Sequence, residues 1–441
     1  MTKEKSATAS TDSGEDAGSA FLSKVGKQQN ECAKCGACTS VCPVYQVTGR
    51  ESLTARGRLH LLAMRRGADA DTELAEIFSK CLICGACRAV CPRGIDIPAL
   101  IIEARATMPQ VTGFSSFKKY LAKQALARPA LLAALTKAAG PLGLLPEILP
   151  EESGLRLTLA APLLELTPSV SELNKQAITP RTAPSRKALY FSGCLARYLA
   201  PAIGLAAAAL LARLCDYELL VSEQQSCCGL AAKSAGDLAQ AKDLARRTIT
   251  MFSGEEVRDL PVFTTCASCY ASLKGYPELL ANDPAWRDQS LAFANRVWEF
   301  SSFICQHSRL PAVDGFRHDL PSRPIVYHDP CHLRFAGITA PPRELLRQAP
   351  GLKLLELPHG PQCCGQGGLF HIAHAALSRN ISQPLVEDFL RTGAELVVTS
   401  CSGCLLQWQQ SLAATGTKAR ATHLALILAQ QLASEELDQA R

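Results

Sequence analysis

The run Cys32-x-x-Cys35-x-x-Cys38-x-x-x-Cys42-Pro43 recurs as Cys81-x-x-Cys84-x-x-Cys87-x-x-x-Cys91-Pro92. A loop of this spacing wraps three thiolates around one face of a four-iron cubane and leaves its fourth Cys out of reach. Where two such runs share a chain, the fourth Cys of each ligates the other cluster. That assigns Cys32, Cys35, Cys38 and Cys91 to one 4Fe–4S cluster, and Cys81, Cys84, Cys87 and Cys42 to a second. Gly36 and Gly85 stand where a side chain would crowd the sulfurs. A pair of zinc knuckles is the rival, but those use two C-x-x-C hooks. They leave the third Cys and the C-x-x-x-C-P ending unexplained.

Ten more cysteines form two sets of near-identical spacing. The first is Cys194-x32-Cys227-Cys228-Gly229-x36-Cys266-x-x-Cys269. The second is Cys331-x31-Cys363-Cys364-Gly365-x35-Cys401-x-x-Cys404. One zinc takes four ligands, so five convergent thiols suit a polynuclear centre, or a site with one Cys left for chemistry. A single zinc in each set is the stronger rival, and buried Cys acting as small hydrophobes is the weaker one. Of the 20 Cys, two remain, Cys215 and Cys305, both in apolar helical runs and expected in the core.

These residues need elements to position them. The second half of the chain is an internal repeat. One copy runs KALYFSGC, a helical Ala/Leu segment, the strand YELLVS, CCG, a helix, then PVFTTCASC. The other runs PIVYHDPC, a helix, KLLELP, CCG, a helix, then LVVTSCSGC. Strands alternating with helices predict parallel α/β layers. Two copies predict a pseudo-twofold pair of lobes with Cys at the C-terminal strand ends, the edge where open α/β sheets bind ligands. The expected class is α/β with a small α+β ferredoxin-like module, itself helical and carrying two clusters. The expected layout is a disordered tail (1–28), a ferredoxin-type domain (29–104), a helical and Pro-rich linker (105–186), and two cysteine-rich domains (187–320 and 321–441).

Composition narrows the class. Of 441 residues, 47% are hydrophobic and 20% charged, with net charge +6. A disulfide scaffold is short and Cys-dense throughout; here the Cys fall in bunches. Residues 1–20 have no apolar signal core. The run Leu199–Ala212 contains Pro201 and Gly204 and is too short to span a bilayer. The expectation is a cytoplasmic protein in a reducing compartment.

Together, the paired cluster motifs and the two CCG sets resemble the iron–sulfur subunit of glycolate oxidase. They are similar also to iron–sulfur subunits of bacterial D-lactate dehydrogenases. The segment TARGRLHLL (Thr54–Leu62) resembles the connecting segment of that subfamily. The iron–sulfur subunit of anaerobic glycerol-3-phosphate dehydrogenase and the catalytic subunit of heterodisulfide reductase share the architecture. In the latter the CCG motifs hold non-cubane 4Fe–4S clusters. Some glycolate oxidase subunits have incomplete CCG motifs; this chain keeps all ten Cys, which moves it toward the D-lactate and heterodisulfide branches. The resemblance implies that Cys194, Cys227, Cys228, Cys266, Cys269, Cys331, Cys363, Cys364, Cys401 and Cys404 bind a non-cubane cluster or zinc in each lobe. It implies an electron-transfer subunit that serves a FAD-containing hydroxy-acid dehydrogenase and a quinone or other carrier. The alternatives are a thiol/disulfide reductase acting at the CCG lobes, and a structural metal-binding protein.

No G-x-G-x-x-G follows a strand, and there is no G-x-x-x-x-G-K-[ST], so a flavin is expected on a partner. No nucleic-acid partner is expected from so mild a charge. His328, His332, His371 and His374 surround the second CCG set, and His371-x-x-His374 would share a helical face. His332 is a candidate hydrogen-bond or proton partner for a cluster. Arg56 and Arg58 either offset cluster charge or form a solvated face. Between Glu103 and Glu147 the chain has Arg105, Lys118, Lys119, Lys123, Arg128 and Lys137 among Phe and Leu and no acidic residue. That segment either lies peripherally on an anionic membrane or packs within the complex.

Overall fold

The computed structural model describes residues 12–64, 72–107, 185–222, 224–308 and 315–432. They fall in two compact units, within Met1–Gly113 and Phe114–Arg441. The basic segment from 108 onward, with Lys118 through Lys137, lies outside the described residues. Among the described residues no helix is long and apolar enough to cross a membrane.

The first unit is helical and, among its described residues, has no strand, so the α+β label is corrected there. Residues 12–28, expected to be disordered, belong instead to a helix, Asp12–Glu31. Phe21 and Val25, one turn apart, are both buried, and Lys24 pairs with Glu103 at 2.7 Å. This helix packs on Ala55–Met64 and Ile97–Thr107. The polar composition of the tail hid two apolar anchors with a helical repeat. The cluster loops occupy the spaces between the helices.

The second unit holds two four-stranded parallel sheets. The first is ordered β2-β1-β3-β4, from β1 (Arg186–Tyr190), β2 (Tyr217–Val221), β3 (Val262–Thr264) and β4 (Val297–Glu299). The second is ordered β6-β5-β7-β8, from β5 (Arg323–His328), β6 (Leu352–Leu355), β7 (Leu396–Thr399) and β8 (Arg420–His423). The central strands β3 and β7 are buried throughout, as parallel strands covered on both faces must be. In each sheet the chain leaves the first strand to one side and returns on the other, which opens a crevice at the strand ends. Three strands per lobe are legible in the sequence; β4 and β8, three or four residues long inside otherwise helical segments, are not.

The lobes share one apolar core. Helix Ala202–Leu210, between β1 and β2, packs on Leu424–Gln430, which follows β8. The equivalent pair is exchanged: Phe300–His307, after β4, packs on Ala340–Gln348, between β5 and β6. This exchange is the pseudo-twofold. Ala206 and Ala207 are fully buried, small enough for close helix approach. Cys215 is fully buried, and Cys305 is partly buried, its thiol bonding the Pro341 carbonyl at the second contact.

Gly365 has φ +85°, and a Cβ there would lie 2.6 Å from the Ser378 carbonyl oxygen. Gly393 has φ +69° with nothing within 4 Å. Gly393→Ala should cost about 1 kcal/mol, from the left-handed backbone alone. Gly365→Ala should cost about 3 kcal/mol or more, because rigid backbone must shift. Thermal melts check this: the drop for Gly365→Ala should be about threefold that for Gly393→Ala.

Candidate metal centres

In the first unit the two cluster loops have the same backbone. Lys34 and Ile83, just before the second Cys of each run, have φ +53° and +55°, and Gly36 and Gly85, just after it, have φ +79° and +84°. Ile83 is β-branched and strained in this conformation. The third Cys of each run sits on a short helix, Ala37–Ser40 or Ala86–Ala89.

One cavity is lined by Cys42, Cys81, Cys84 and Cys87, with Arg58 and Pro43. Burial raises Cys87, and its thiolate neighbours Cys81, Cys84 and Cys42 raise it further. Such thiols ionise only with cationic charge beside them. The donor set and the cavity fit a four-thiolate iron cluster.

Two buried arginines supply positive charge. Arg58 donates from Nε to the Ile77 carbonyl at 3.2 Å and from Nη2 to that of Lys80 at 2.9 Å. Arg105 donates from Nη2 to the carbonyls of Phe78, Ser79 and Cys81 at 2.7–3.0 Å, and burial lowers it to about 10. Arg58 is therefore not on a solvated face: it is buried and lines the cavity of Cys42, Cys81, Cys84 and Cys87. Arg105, grouped in sequence with a basic interfacial segment, is corrected to a core residue; helical spacing places it on the buried side of Ile97–Thr107. Arg56 is more exposed and bonds Glu51 and the Lys34 carbonyl.

In the second unit the Cys sets meet across the lobe boundary. Thiols within hydrogen-bonding reach run Cys194, Cys227, Cys228, Cys269, Cys266. They continue into the other lobe as Cys401, Cys404 and Cys364. The lobe-to-lobe step is Cys266 to Cys401. Around it, the Ala267 N–H donates to the Ser400 carbonyl at 2.8 Å. Ser268 Oγ lies 3.2 Å from both Cys401 Sγ and His332 Nδ1. His423 Nε2 lies 3.0 Å from the Thr265 carbonyl oxygen. Cys331 and Cys363 are partly exposed.

Protons are shared unevenly along this run. Hydrogen bonds from Cys227 and Cys269 hold Cys228 well below the usual thiol range. Those from Cys266 and Cys404 do the same for Cys401. Cys364 is lowered to about 5, first by Cys404 and then by His328. The donors Cys227, Cys269 and Cys404 are pushed up in turn.

The histidines divide. His328 ends β5, and one of its ring nitrogens and the sulfurs of Cys364 and Cys404 all lie within 4.8 Å of one another. Burial lowers His332, beside Cys401, Cys228 and Cys364. His371 Nδ1 lies 2.9 Å from the Gly368 carbonyl oxygen. His371 and His374 do not share a helical face: Phe370–Ala373 stops at His374, whose φ and ψ are −133° and 57°. Sequence reasoning missed Ser268 and His423, which carry no motif.

The cysteine-rich domain family matches residues 188–274 and 325–409, and the 4Fe-4S dicluster domain family matches 28–95. A probable glycolate oxidase iron-sulfur subunit of Bacillus subtilis is 30% identical, over 90% of this chain and 92% of that protein. Lactate utilization protein A of Lysinibacillus sphaericus is 31% identical, over 51% of this chain and 96% of that protein. The protein of that name from Halalkalibacterium halodurans is 31% identical, over 57% and 99%. A solved structure of a hypothetical protein from Helicobacter pylori gives a TM-score of 0.42 at 10% identity. It covers 65% of this chain but only 56% of that one, a likeness too weak to carry an argument.

Arg105→Met removes a buried cation beside Cys81. In the reconstituted protein it should lower the reduction potential of the nearer cluster by on the order of 50–100 mV. Arg56→Met, at a more exposed site, should shift its neighbour much less. EPR-monitored redox titration of both variants checks this, and equal shifts would contradict it.

Proposed function

The chain belongs to the family of the glycolate oxidase iron–sulfur subunit, and on that premise we propose that it is the electron-transfer subunit of a 2-hydroxy-acid dehydrogenase. A FAD-containing partner removes hydride from glycolate or lactate, leaving glyoxylate or pyruvate. This chain takes the two electrons singly and passes them to a quinone or another respiratory acceptor. Hydride removal is a two-electron step that thiolate-held iron does not perform, and a flavin divides it into single electrons. Iron–sulfur clusters, when bound, supply one-electron steps at potentials set by charge, hydrogen bonding and burial.

The observation that carries this reading is the pairing of two cluster loops with an unbroken thiol run across two lobes. In the first unit Cys32, Cys35, Cys38 and Cys91 hold one cubane, and Cys42, Cys81, Cys84 and Cys87 the other. The cavity that groups Cys42 with the second loop supports that crossing. In the lobes the ten CCG cysteines hold the exit centres. A second reading, thiol/disulfide exchange at the lobes, is favoured by the low thiols Cys228, Cys364 and Cys401, since the thiolate is the attacking species.

The chain alone should not oxidise glycolate or lactate. With its flavoprotein it should support substrate-dependent reduction of a soluble quinone. Cys228→Ser or Cys364→Ser should abolish that flow and leave the cubane EPR signals intact; unchanged turnover in both variants would sink the relay. Reduction of a small disulfide by the chain with an artificial donor would favour the second reading. Cys38→Ser and Cys42→Ser should each damage a different cubane signal, and loss of the same signal in both would reject the crossed ligation.

A further inference from the structure

The two lobes are built alike but not furnished alike. Three residues before its first CCG-set cysteine, the first lobe has Phe191 and the second has His328. Both rings are buried, at 0% and 1% exposure. Phe191 packs edge-on against Phe252, so the fold is satisfied by a hydrocarbon ring at this position. An imidazole there needs another reason.

We propose that His328 is a metal ligand, acting with Cys364 and Cys404, so that the second lobe holds a mixed imidazole–thiolate centre and the first an all-sulfur one. The inference rests on the reading of the lobes as metal-holding sites. The metal is a thiophilic d-block cation, either zinc or the iron of a cluster.

The three donor atoms lie within 4.8 Å of one another. Around a tetrahedral metal with bonds of about 2.1 Å to nitrogen and 2.3 Å to sulfur, donors sit about 3.5–3.8 Å apart. A contraction of at most about 1.3 Å closes the site. All three side chains are buried; the His328 ring reaches the Cys364 thiol through one nitrogen, and its Nδ1 is a buried atom with no hydrogen-bond partner. A buried polar atom left without a partner costs about 1–3 kcal/mol, and such atoms in a folded protein call for an explanation, an ion among them. The ring is also held in place. His328 pairs with Thr399 in the β5–β7 ladder, and Trp408 packs across it at 5.6 Å and 73°. A preoriented ring loses little freedom on binding a metal.

The chemical consequence is directional. Imidazole for thiolate removes one negative charge, and in iron–sulfur centres that exchange raises the reduction potential. With iron bound, the second lobe would be the more oxidising of the two and the natural last stop for an electron.

The test uses the full chain, purified without oxygen and labelled with 15N-histidine. Iron and zinc are counted, pulsed EPR looks for histidine nitrogen coupled to an iron centre, and zinc-edge X-ray absorption looks for a nitrogen neighbour. One of the two spectroscopies should report a histidine nitrogen in the wild type, and which one does identifies the metal. His328→Phe copies the first lobe's own residue. It should fold, keep the cubane signals and lose that nitrogen, with the second-lobe metal lost or altered. His328→Cys should restore the metal with sulfur in place of nitrogen, and it decides the matter if the Phe variant does not fold. His332→Phe should retain the coupling. Lobe metal bound in the wild type without histidine nitrogen, or a nitrogen signal that survives His328→Phe, overturns the assignment of His328 alone. Lobes that hold no iron or zinc beyond the two cubanes overturn the metal reading of the lobes and this inference with it.

Discussion

Thiolates crowded together in a low-dielectric interior repel one another, and the rest of this molecule is organised around that fact. Eight of the ten CCG cysteines form one run of thiols within hydrogen-bonding reach of one another. Without metal the run must share protons, so low and high thiols sit beside one another along it. In the helical unit the same constraint acts on Cys42, Cys81, Cys84 and Cys87. There the structure supplies fixed positive charge from Arg58 and Arg105. Each cation lowers the cost of collecting negative charge at one point.

The sheets make the crowding feasible. Parallel strands end together, and the reversal of strand order after the first strand opens a gap there. The CxxC pairs follow β3 and β7 directly, and the CCG turns fold onto them through Gly229 and Gly365. The exchanged helix pairs bury apolar surface between the lobes and bring Cys266 to Cys401. The halves then depart from symmetry at the centre. Ser268 faces Cys401 where the other lobe has Gly403, and His423 caps its helix and reaches Thr265 where the first lobe has Glu299. A duplicated fold can thus hold two chemically different sites without altering its packing.

Chain reach sets what can be read from residue order alone. Three cysteines within seven residues can wrap one cluster face wherever the loop sits, so the paired motifs were legible. The repeat, the parallel lobes and the Cys at strand ends follow from apolar runs and their order. Residues 12–28 were misread because two apolar anchors, Phe21 and Val25, carry a helix whose other positions are polar. Strands β4 and β8 escaped because three or four residues have no periodicity of their own. Packing of distant segments sets which cysteines are neighbours across the lobes, places Arg105 in the core beside Cys81, and brings His328 to Cys364 and Cys404. Ser268 and Cys401 touch across 133 positions of chain. No local pattern specifies such a contact, because it is set by how two separately folded sheets bury their apolar faces against each other.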